Sequence, residues 1–466
     1  MPASDTLSRQ DAAHLLRRTG FGGSGAELTA LTGVTRAAAV DAALGFTSAD
    51  AAPLGPDVGV PGFVTNEEQW TAHSDAITWW LERMATLANP TTTPVPVPAV
   101  SAARPIHEKM ALFWHEHFSC GQEKIFDFPQ LWDQIGLFRR TGLGNFDALV
   151  RAVAVHPAML VFLDNQSNVV TGVQENFGRE LMELYTCGVG NYTEGDVVSM
   201  ARAWTGHNTV GWTGSRWDAT YVYRSGEHDH GTKRLFGISA NWNGVQMVAG
   251  ERDTIHELVY GVRQQATARF IARKLFRYFA HLNPRDSVVN ALASTFIASG
   301  MEIAPLVRAI LLHDQFWGPT ARFALVKSPT EFVASLLRRT GLDPAEMGLR
   351  WNKAPMGQTL FDPPSVAGWG QGDYWLSTAS AWAKGAFVGG QRWRPETAAL
   401  LASLDDSSDD AAAAQTIFNL FGLDQVSATT RSAVRRWHRR AYSGARWSTV
   451  PQGFLVGAMC PEFQVY

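Results

Sequence analysis

The sequence predicts a mainly α-helical fold: a large helical globular protein with one small β-hairpin insertion. Apolar residues make up 45% of the 466 residues and charged residues 18%, which is enough apolar material for a large core. In most segments these apolar residues recur every three or four positions, the period of an amphipathic helix. Only residues 211–224 combine alternation with β-branched and aromatic side chains, as a hairpin does.

The helices can be placed from their start and stop signals. Ser8 is a candidate N-cap for the first helix, and Gly20 and the glycines just after it end that helix. Thr193 and Asp196 form a variant of the capping box before a later helix. In chain order, we predict helices over 8–20, 26–44, 66–88, 105–118, 129–141, 145–156, 173–187, 194–205, 254–280, 286–298, 303–313, 328–340 and within 411–445.

Two interruptions of this pattern indicate the domain organisation. Residues 89–98 hold four prolines, so we expect a loop excursion near 89–100. An acidic loop at 404–410 precedes the last helical residues. We therefore predict a main domain over 1–400 and a small helical extension over 401–466 that packs on the same domain.

Composition also restricts the class of protein. The formal net charge is −3, which gives no general attraction to nucleic acid. The three cysteines form no C-x-x-C pair, so a zinc ribbon is not indicated. No apolar run approaches the ~20 residues of a membrane span. The N-terminus lacks the layout of a signal peptide, and we expect a cytoplasmic protein without a transmembrane segment.

Several spaced motifs support a family resemblance. They are HLLRRTGFGGS (14–24), KMALFWHEHF (109–118), PAMLVFLDN (157–165), QENFGRELMELYTCGVGNYTEGDVVSMARAWTG (174–206), HDHGTKRLFG (228–237), FIARKLFRYF (270–279), KSPTEF (327–332) and PPSVAGWGQGDYW (363–375). On these motifs the chain resembles the bacterial family known as domain of unknown function 1800. The resemblance covers residues 9–390 and supplies no mechanism.

The same resemblance implies a partner. Genes of the family often neighbour those of a second family of unknown function, number 1501, which resembles alkaline phosphatases and sulfatases. Many members of the family are exported, so the resemblance implies a two-protein system at the cell envelope. Because this chain shows no export signal of its own, export would proceed through that partner.

One helix presents a stripe of polar residues beside its apolar face. Asn176, Glu180 and Glu183 follow the i, i+4, i+7 spacing of one helix face within 173–187. Two half-buried carboxylates one turn apart repel, so the pKa of one is raised unless a cation lies near. The pattern predicts an acid/base pair or a carboxylate metal site; the alternative is a structural network with arginines. Glu175 and Arg179 are spaced for a helix salt bridge, and Arg179 is also a candidate ligand-binding residue.

Two histidines lie in the predicted helix 105–118. His115 and His117 are two positions apart, which places them on nearly opposite sides of a helix. They can share a metal only if the helix breaks there. One alternative is that only one of them belongs to a site, with His117 as the catalytic residue. The other is that both are core histidines whose ring nitrogens are hydrogen-bonded within the protein.

A polar loop follows the predicted hairpin. It contains His228, Asp229 and Lys233, which can orient one another or hold an anion, and Gly231 permits a tight turn. His228 and Asp229 are candidate catalytic residues and Lys233 a candidate ligand-binding residue. The alternative is an ordinary polar loop with an Asx turn at Asp229.

Three further residues are candidates for ligand binding. Asp164 and Asn165 follow an apolar run and form either a helix-end turn or a pair that faces a ligand. Trp369 lies in a Gly-rich loop, where it either lines a pocket rim or fixes the loop to the core. The 17 tryptophans and 25 phenylalanines of the chain favour core packing, with an aromatic groove as the alternative.

Two functions remain open on the sequence alone. The first is a hydrolase-like or metal-assisted enzyme, with a Glu/His site on a helical scaffold and a divalent metal as its cofactor. It requires the candidate groups to lie within ~10 Å of one another, since catalytic groups need near hydrogen-bond reach. The second is a non-catalytic partner or chaperone of an envelope phosphatase-like or sulfatase-like protein, which a large exposed apolar patch would favour.

Overall fold

A computed structural model describes most of the chain. The described residues are 5–45, 66–85, 105–125, 128–212, 217–245, 247–347, 354–404, 408–443 and 449–466. The loop excursion predicted near 89–100 lies outside them, as does the tip of the predicted hairpin.

The described residues are mainly helical, as the sequence predicts. The α-helices are α1 (Arg9–Gly20), α2 (Gly25–Leu31), α3 (Arg36–Leu44), α4 (Asn66–Ala85), α5 (Pro105–His117), α6 (Gln122–Ile125), α7 (Phe128–Thr141), α8 (Phe146–Ala154), α9 (Pro157–Phe162), α10 (Asn176–Glu180), α11 (Glu194–Ala203), α12 (Thr254–Val259), α13 (Gln264–Phe279), α14 (Asp286–Ala298), α15 (Ile303–Leu312), α16 (Asp314–Trp317), α17 (Pro329–Thr340), α18 (Thr378–Gln391), α19 (Pro395–Leu400), α20 (Asp410–Phe421), α21 (Ala428–Ser443), α22 (Thr449–Ala458) and α23 (Pro461–Gln464).

Capping residues begin several of these helices. Ser8 accepts a hydrogen bond from the backbone N–H of Asp11, and the Asp11 carboxylate closes the capping box of α1. Thr193 and Asp196 form the same box at the start of α11. Both predicted N-termini are confirmed. Such caps satisfy backbone N–H groups that have no partner inside the helix.

Five strands form two small sheets. Strand β1 (His207–Trp212) pairs antiparallel with β2 (Trp217–Tyr223), in the register His207 opposite Tyr223. This is the predicted hairpin, and it begins four residues earlier than predicted.

The second sheet joins β3 (Thr232–Leu235), β4 (Ile238–Asn243) and β5 (Arg252–Asp253), with β4 antiparallel to β3 and parallel to β5. The sequence does not predict this sheet, because its strands are short and mostly polar and therefore lack the apolar alternation that marks a strand.

Large aromatic side chains fill the core. Trp80, Trp114, Trp204 and Trp242 are all fully buried, which agrees with the core interpretation of the abundant aromatic residues. The C-terminal residues pack on the rest of the chain, since Tyr466 donates a hydrogen bond to the buried Glu331. Within the described ranges, no helix combines the length and the apolar character needed to cross a bilayer.

Candidate metal centre

The predicted polar loop 228–233 lies between the two sheets and is held by its own side chains. The backbone N–H of Gly231 donates to Asp229 Oδ1 at 2.8 Å, which confirms the Asx turn. The ammonium of Lys233 is buried and donates to the carbonyls of Asp229, Gly231 and Trp242. All three ammonium protons are thereby used within the loop and the neighbouring strand β4. Lys233 therefore stabilises the loop and is not free to bind a ligand.

The loop brings two histidines against a carboxylate from another segment. His228, His230 and Glu251 each offer one ligand atom, and these atoms all lie within 4.8 Å of one another. Glu251 directly precedes β5, so the second sheet determines where its carboxylate meets the loop. His228 Nε2 lies 3.8 Å from Glu251 Oε2, and His230 Nδ1 lies 2.9 Å from Glu251 Oε1.

The tautomer of His228 is determined by a backbone carbonyl. Its Nδ1 donates to the carbonyl oxygen of Thr205 at 2.8 Å, so in the neutral ring Nε2 is unprotonated and carries a lone pair. Burial lowers the pKa of His228, so the ring is neutral at neutral pH. Nε2 is buried and accepts no hydrogen bond from any described residue. The ring therefore presents an unused nitrogen ligand toward Glu251.

His230 completes the contact with Glu251 at the protein surface. Its Nε2 donates to the carbonyl of Ser225 at 3.0 Å, and its Nδ1 contacts the carboxylate. The hydrogen bond to Glu251 raises the pKa of His230. The side chain is 48% exposed, whereas those of His228 and Glu251 are 0% and 6% exposed. The cluster is therefore buried on one side and open to solvent at His230.

A chain of hydrogen bonds orients Glu251 from behind. Asn243 Nδ2 donates to Glu251 Oε2 at 2.8 Å, and Asn243 Oδ1 accepts from His207 Nε2 at 2.8 Å. Tyr221 in turn donates to His207 Nδ1 at 2.8 Å. Burial opposes ionisation of Glu251, but the hydrogen bonds from His230 and Asn243 outweigh it and hold its pKa below the ordinary value. Glu251 is thus a carboxylate at neutral pH.

These residues fit a divalent transition metal. Two imidazoles and one carboxylate are a donor set that proteins use for catalytic Zn²⁺. Histidine ligands of metals almost always donate their second ring N–H to a carbonyl or carboxylate, as His228 and His230 both do here. The fit therefore extends to the groups that orient the ligands.

The other predicted residue of this loop has a structural partner. Asp229 forms an ion pair with Arg202 at 2.6 Å, and its backbone N–H donates to Thr205 Oγ1 at 2.8 Å. Its carboxylate thus points to α11 and is not one of the three clustered ligands. Of the predicted loop residues, only His228 belongs to the cluster.

The predicted helix 173–187 differs from a continuous α-helix. Helix α10 begins at Asn176 and passes at Leu181 into one π-helical turn, Leu181–Tyr185. π-Turns inside helices occur often at functional sites. Here the wider turn directs the carbonyl of Tyr185 to His117 Nε2, which donates to it at 3.1 Å.

The polar stripe on this helix has few partners. Burial, followed by repulsion from Glu183, raises the pKa of Glu180, as the predicted spacing requires. The carboxylate of Glu183 accepts a hydrogen bond from the hydroxyl of Tyr192. Asn176 donates weakly to Asp164 at 3.4 Å, and Lys124 pairs with the same carboxylate at 2.7 Å. No histidine joins these carboxylates among the described residues.

Two other candidates have structural partners. Arg179 pairs with Glu194 at 2.8 Å and with Glu175 at 3.4 Å on the surface, which confirms the predicted helix salt bridge. Asn165 is buried and donates to the backbone carbonyls of Trp204 and His207. Each already has the hydrogen-bond partners that a ligand would otherwise supply.

The two helical histidines lie in different surroundings. His117 donates from Nε2 to Tyr185 and accepts a 2.8 Å hydrogen bond at Nδ1 from Lys274, so both ring nitrogens are used. His115 accepts at Nε2 from the backbone N–H of Phe361 at 3.1 Å. Helix α5 runs unbroken to His117, so the break that shared ligation requires does not occur before it. Trp369 is buried 5.3 Å from the His115 ring, which supports its role in fixing the loop to the core.

Sequence reasoning missed two residues of the cluster, His230 as a ligand and Glu251. A signal for His230 was present, because residues two apart in extended chain point to the same side, and His228 and His230 have this spacing. Glu251 lies 21 residues beyond His230 and follows a sheet that was not predicted. Its contact with the loop is a long-range consequence of the fold.

Comparison with known proteins identifies a family and no function. No curated protein and no solved structure matches the chain. The family model described as "Protein of unknown function (DUF1800)" matches residues 14–465, nearly the full length. The chain therefore belongs to this DUF1800 family.

Proposed function

We propose that the protein is a metal-dependent hydrolase whose divalent cation, Zn²⁺, is bound by His228, His230 and Glu251. The observation that carries the proposal is the buried lone pair of His228. Its Nε2 faces the Glu251 carboxylate at 3.8 Å, and the described residues place no hydrogen-bond donor on that nitrogen. Two acceptors that face each other in a buried place require a cation or a proton between them.

A proton is the weaker explanation. Burial lowers the pKa of His228, so that ring does not hold a second proton at neutral pH. The raised pKa belongs to His230, whose proton already bridges to the other carboxylate oxygen. A cation satisfies all three groups at once, since metal ligands must be deprotonated and the metal displaces the proton on His230.

The chemistry of such a centre suits hydrolysis. With three protein ligands, Zn²⁺ keeps a position for water, and it lowers the pKa of that water toward neutrality. The exposed edge of His230 leaves this side of the cluster accessible from solvent. The carbonyls of Thr205 and Ser225 orient the two imidazole rings for binding, and Asn243 helps to keep Glu251 ionised.

The test measures metal content and affinity directly. We expect about one Zn²⁺ per chain by mass spectrometry after dialysis, and a loss of zinc affinity of at least about 100-fold in His228→Ala and Glu251→Gln. His256→Ala is the matched control, because His256 is an exposed histidine on the nearby helix α12. Circular dichroism and thermal unfolding establish that each variant is folded.

Activity is measured with the zinc-loaded protein on p-nitrophenyl esters, phosphates and sulfates. We expect turnover of one of these classes that disappears in His228→Ala and persists in His256→Ala. Equal zinc affinity in all variants contradicts the proposed centre. Zinc binding with no turnover of any class contradicts the hydrolase and leaves a structural metal site, and stronger binding of Fe²⁺ or Mn²⁺ contradicts the choice of metal.

A second candidate function, a non-catalytic partner of an envelope phosphatase-like or sulfatase-like protein, is supported by exposed apolar residues. Tyr374, Leu376, Trp382 and Trp393 are 53–73% exposed and lie within twenty residues around α18. Exposed apolar patches mark protein interaction sites. Co-purification with the neighbouring protein of family 1501 tests it: Trp382→Ser should abolish the complex, and a complex that survives this change contradicts this surface as the interface.

A further inference from the structure

A second polar cavity lies far along the chain from the proposed metal centre. It is small and lies where α1, α17 and the C-terminal helices meet. Its polar lining includes Arg17, Lys327 and Arg339, and phenylalanines form most of the remaining wall. The cavity is unrelated to the residues of the proposed hydrolase.

The three cations of the cavity lack anionic partners in contact. Lys327 is 3% exposed and Arg17 is 9% exposed. The third cation is Arg339. Among the described residues, none of these three side chains donates a hydrogen bond or forms an ion pair within 4.0 Å. Arg17 lies over the ring of Phe323, and Lys327 lies over the ring of Phe463. Buried charges are normally paired or hydrogen-bonded, so this arrangement is incomplete without a ligand.

Nearby carboxylates do not complete it. Glu331 accepts from Lys109 and Tyr466, and Glu462 accepts from the backbone N–H of Ser427 at 2.9 Å and from Thr430. Asp424 is the remaining carboxylate of the lining, and its Oδ1 is 3.4 Å from Arg9. The lining therefore has three cations against two carboxylates, and each carboxylate already accepts a hydrogen bond from elsewhere. Asp424 attracts Arg17 and Arg339 without forming an ion pair with either.

Burial and mutual repulsion lower the pKa values of these cations. Burial, followed by repulsion from Arg17 and Arg339, lowers the pKa of Lys327 well below its ordinary value. Burial also lowers the pKa of Arg17 to about 10 and that of Arg339 to about 10. A bound anion would relieve both the desolvation and the repulsion.

Two further polar atoms add specificity. The hydroxyl of Ser335 and the Oδ2 of Asp424 are both buried in the cavity lining and have no hydrogen-bond partner among the described residues. The cavity thus presents four donor groups and one free acceptor. A hydrogen phosphate group matches this set, because it has three accepting oxygens and one P–OH that donates. Sulfate has no proton for Asp424 at neutral pH.

The local chain geometry holds Arg339 in place. A Cβ on Gly422, the left-handed residue after α20 with φ +63°, would overlap the guanidinium of Arg339, so this side chain packs directly on the glycine. The hexapeptide LLRRTG occurs twice, at 15–20 and 336–341. Each copy supplies one arginine of the cavity.

We propose that this cavity binds inorganic hydrogen phosphate through Arg17, Lys327, Arg339 and Ser335, with Asp424 accepting a hydrogen bond from its P–OH group. Arginine forks bind phosphate oxygens in pairs, which suits the two guanidinium groups.

The test compares phosphate with sulfate by isothermal titration of the intact protein at pH 7.5. We expect phosphate to bind at least tenfold more tightly than sulfate. Arg339→Gln should weaken phosphate binding at least tenfold, whereas Arg435→Gln, a change of an exposed arginine on α21, should leave it unchanged. Asp424→Asn should reduce the preference for phosphate over sulfate.

Two results would overturn the proposal: no phosphate binding by the wild-type protein, or equal binding of phosphate and sulfate that Arg339→Gln leaves unchanged. The wild-type comparison of the two anions needs no variant, so it decides the matter even if a buried substitution fails to fold. Glycerol phosphate is a further test, because its phosphate has no P–OH at pH 7.5. We expect it to bind more weakly than inorganic phosphate, and tighter binding would contradict the hydrogen bond to Asp424.

Discussion

Two regions of the molecule carry acidic groups where a ligand could bind, and they are built differently. In the cluster of His228, His230 and Glu251, each of the three side chains has a hydrogen bond outside the cluster that determines its orientation. In the stripe that contains Glu180 and Glu183, a tyrosine hydroxyl is the hydrogen-bond partner of one carboxylate, and the described residues donate no hydrogen bond to the other.

The difference teaches what spacing along a helix can and cannot establish. Two carboxylates one turn apart repel wherever a helix places them, and partial burial together with this repulsion is enough to raise the pKa of Glu180. A metal site needs in addition ligands that are already oriented before the metal binds. The loop 228–233 has that preorganisation because Lys233 and the Asx turn fix its backbone.

The largest effect should come from removing the ammonium that holds this loop. Lys233→Met leaves three carbonyls without their donor, and each buried unsatisfied group costs about 1–3 kcal/mol. We expect the free energy of unfolding to fall by about 3 kcal/mol in urea denaturation. Lys124→Met is the control near the stripe, where an exposed ion pair with Asp164 should cost less than about 1 kcal/mol. Equal losses in the two variants would contradict the comparison.

A second substitution should change zinc affinity in the cluster of His228, His230 and Glu251, whereas its counterpart in the Glu180/Glu183 stripe should not. Asn243→Leu removes the donor to Glu251 and leaves all three ligands in place. We expect zinc affinity to fall about 10- to 100-fold in competition titrations, the usual result of losing such a supporting hydrogen bond. Tyr192→Phe removes the corresponding hydrogen bond to Glu183 and should leave zinc affinity unchanged. A loss in Tyr192→Phe would place the metal at the stripe instead.

The same comparison shows how much the sequence predicts. Helical class, the caps at Ser8 and Thr193, and the hairpin all depend on signals within a few residues, and all are confirmed. The Asx turn of Asp229 is equally local and was one of the two interpretations of its loop.

Features that depend on distant contacts were not predictable in this way. The π-turn Leu181–Tyr185 is satisfied partly by His117, a residue 68 positions away. The contact of Glu251 with His228 depends on strands too short and polar to carry an apolar period. For the same reason the sequence indicated only one residue of the cluster, His228, as a candidate catalytic residue, and did not indicate His230 or Glu251.

A smaller effect concerns the stripe itself and depends on pH. The pKa of Glu180 is raised above 4.5 in the folded protein, so the folded state holds this proton more tightly than the unfolded state. The free energy of unfolding should therefore fall as pH rises from about 4.5 through the folded pKa. Glu180→Gln should remove this slope and raise stability at pH 7 by less than about 1 kcal/mol. Urea titrations between pH 4 and 7 measure it, with Glu175→Gln as the control; an unchanged slope would mean that Glu180 is well solvated.

The smallest effect should come from the surface ion pairs beside the stripe. Arg179 forms ion pairs with Glu194 and Glu175 at the surface. Because these charges stay hydrated and salt screens their attraction, the pairs contribute little to stability. We expect Arg179→Ala to change the free energy of unfolding by less than about 0.5 kcal/mol. Arg202→Ala, which removes the shorter and less exposed pair with Asp229 in the loop 228–233, should cost more and, on the proposed metal centre, also weaken zinc binding. If Arg179→Ala proves the costlier change, the stripe is the more highly organised region, and the search for a ligand should move there.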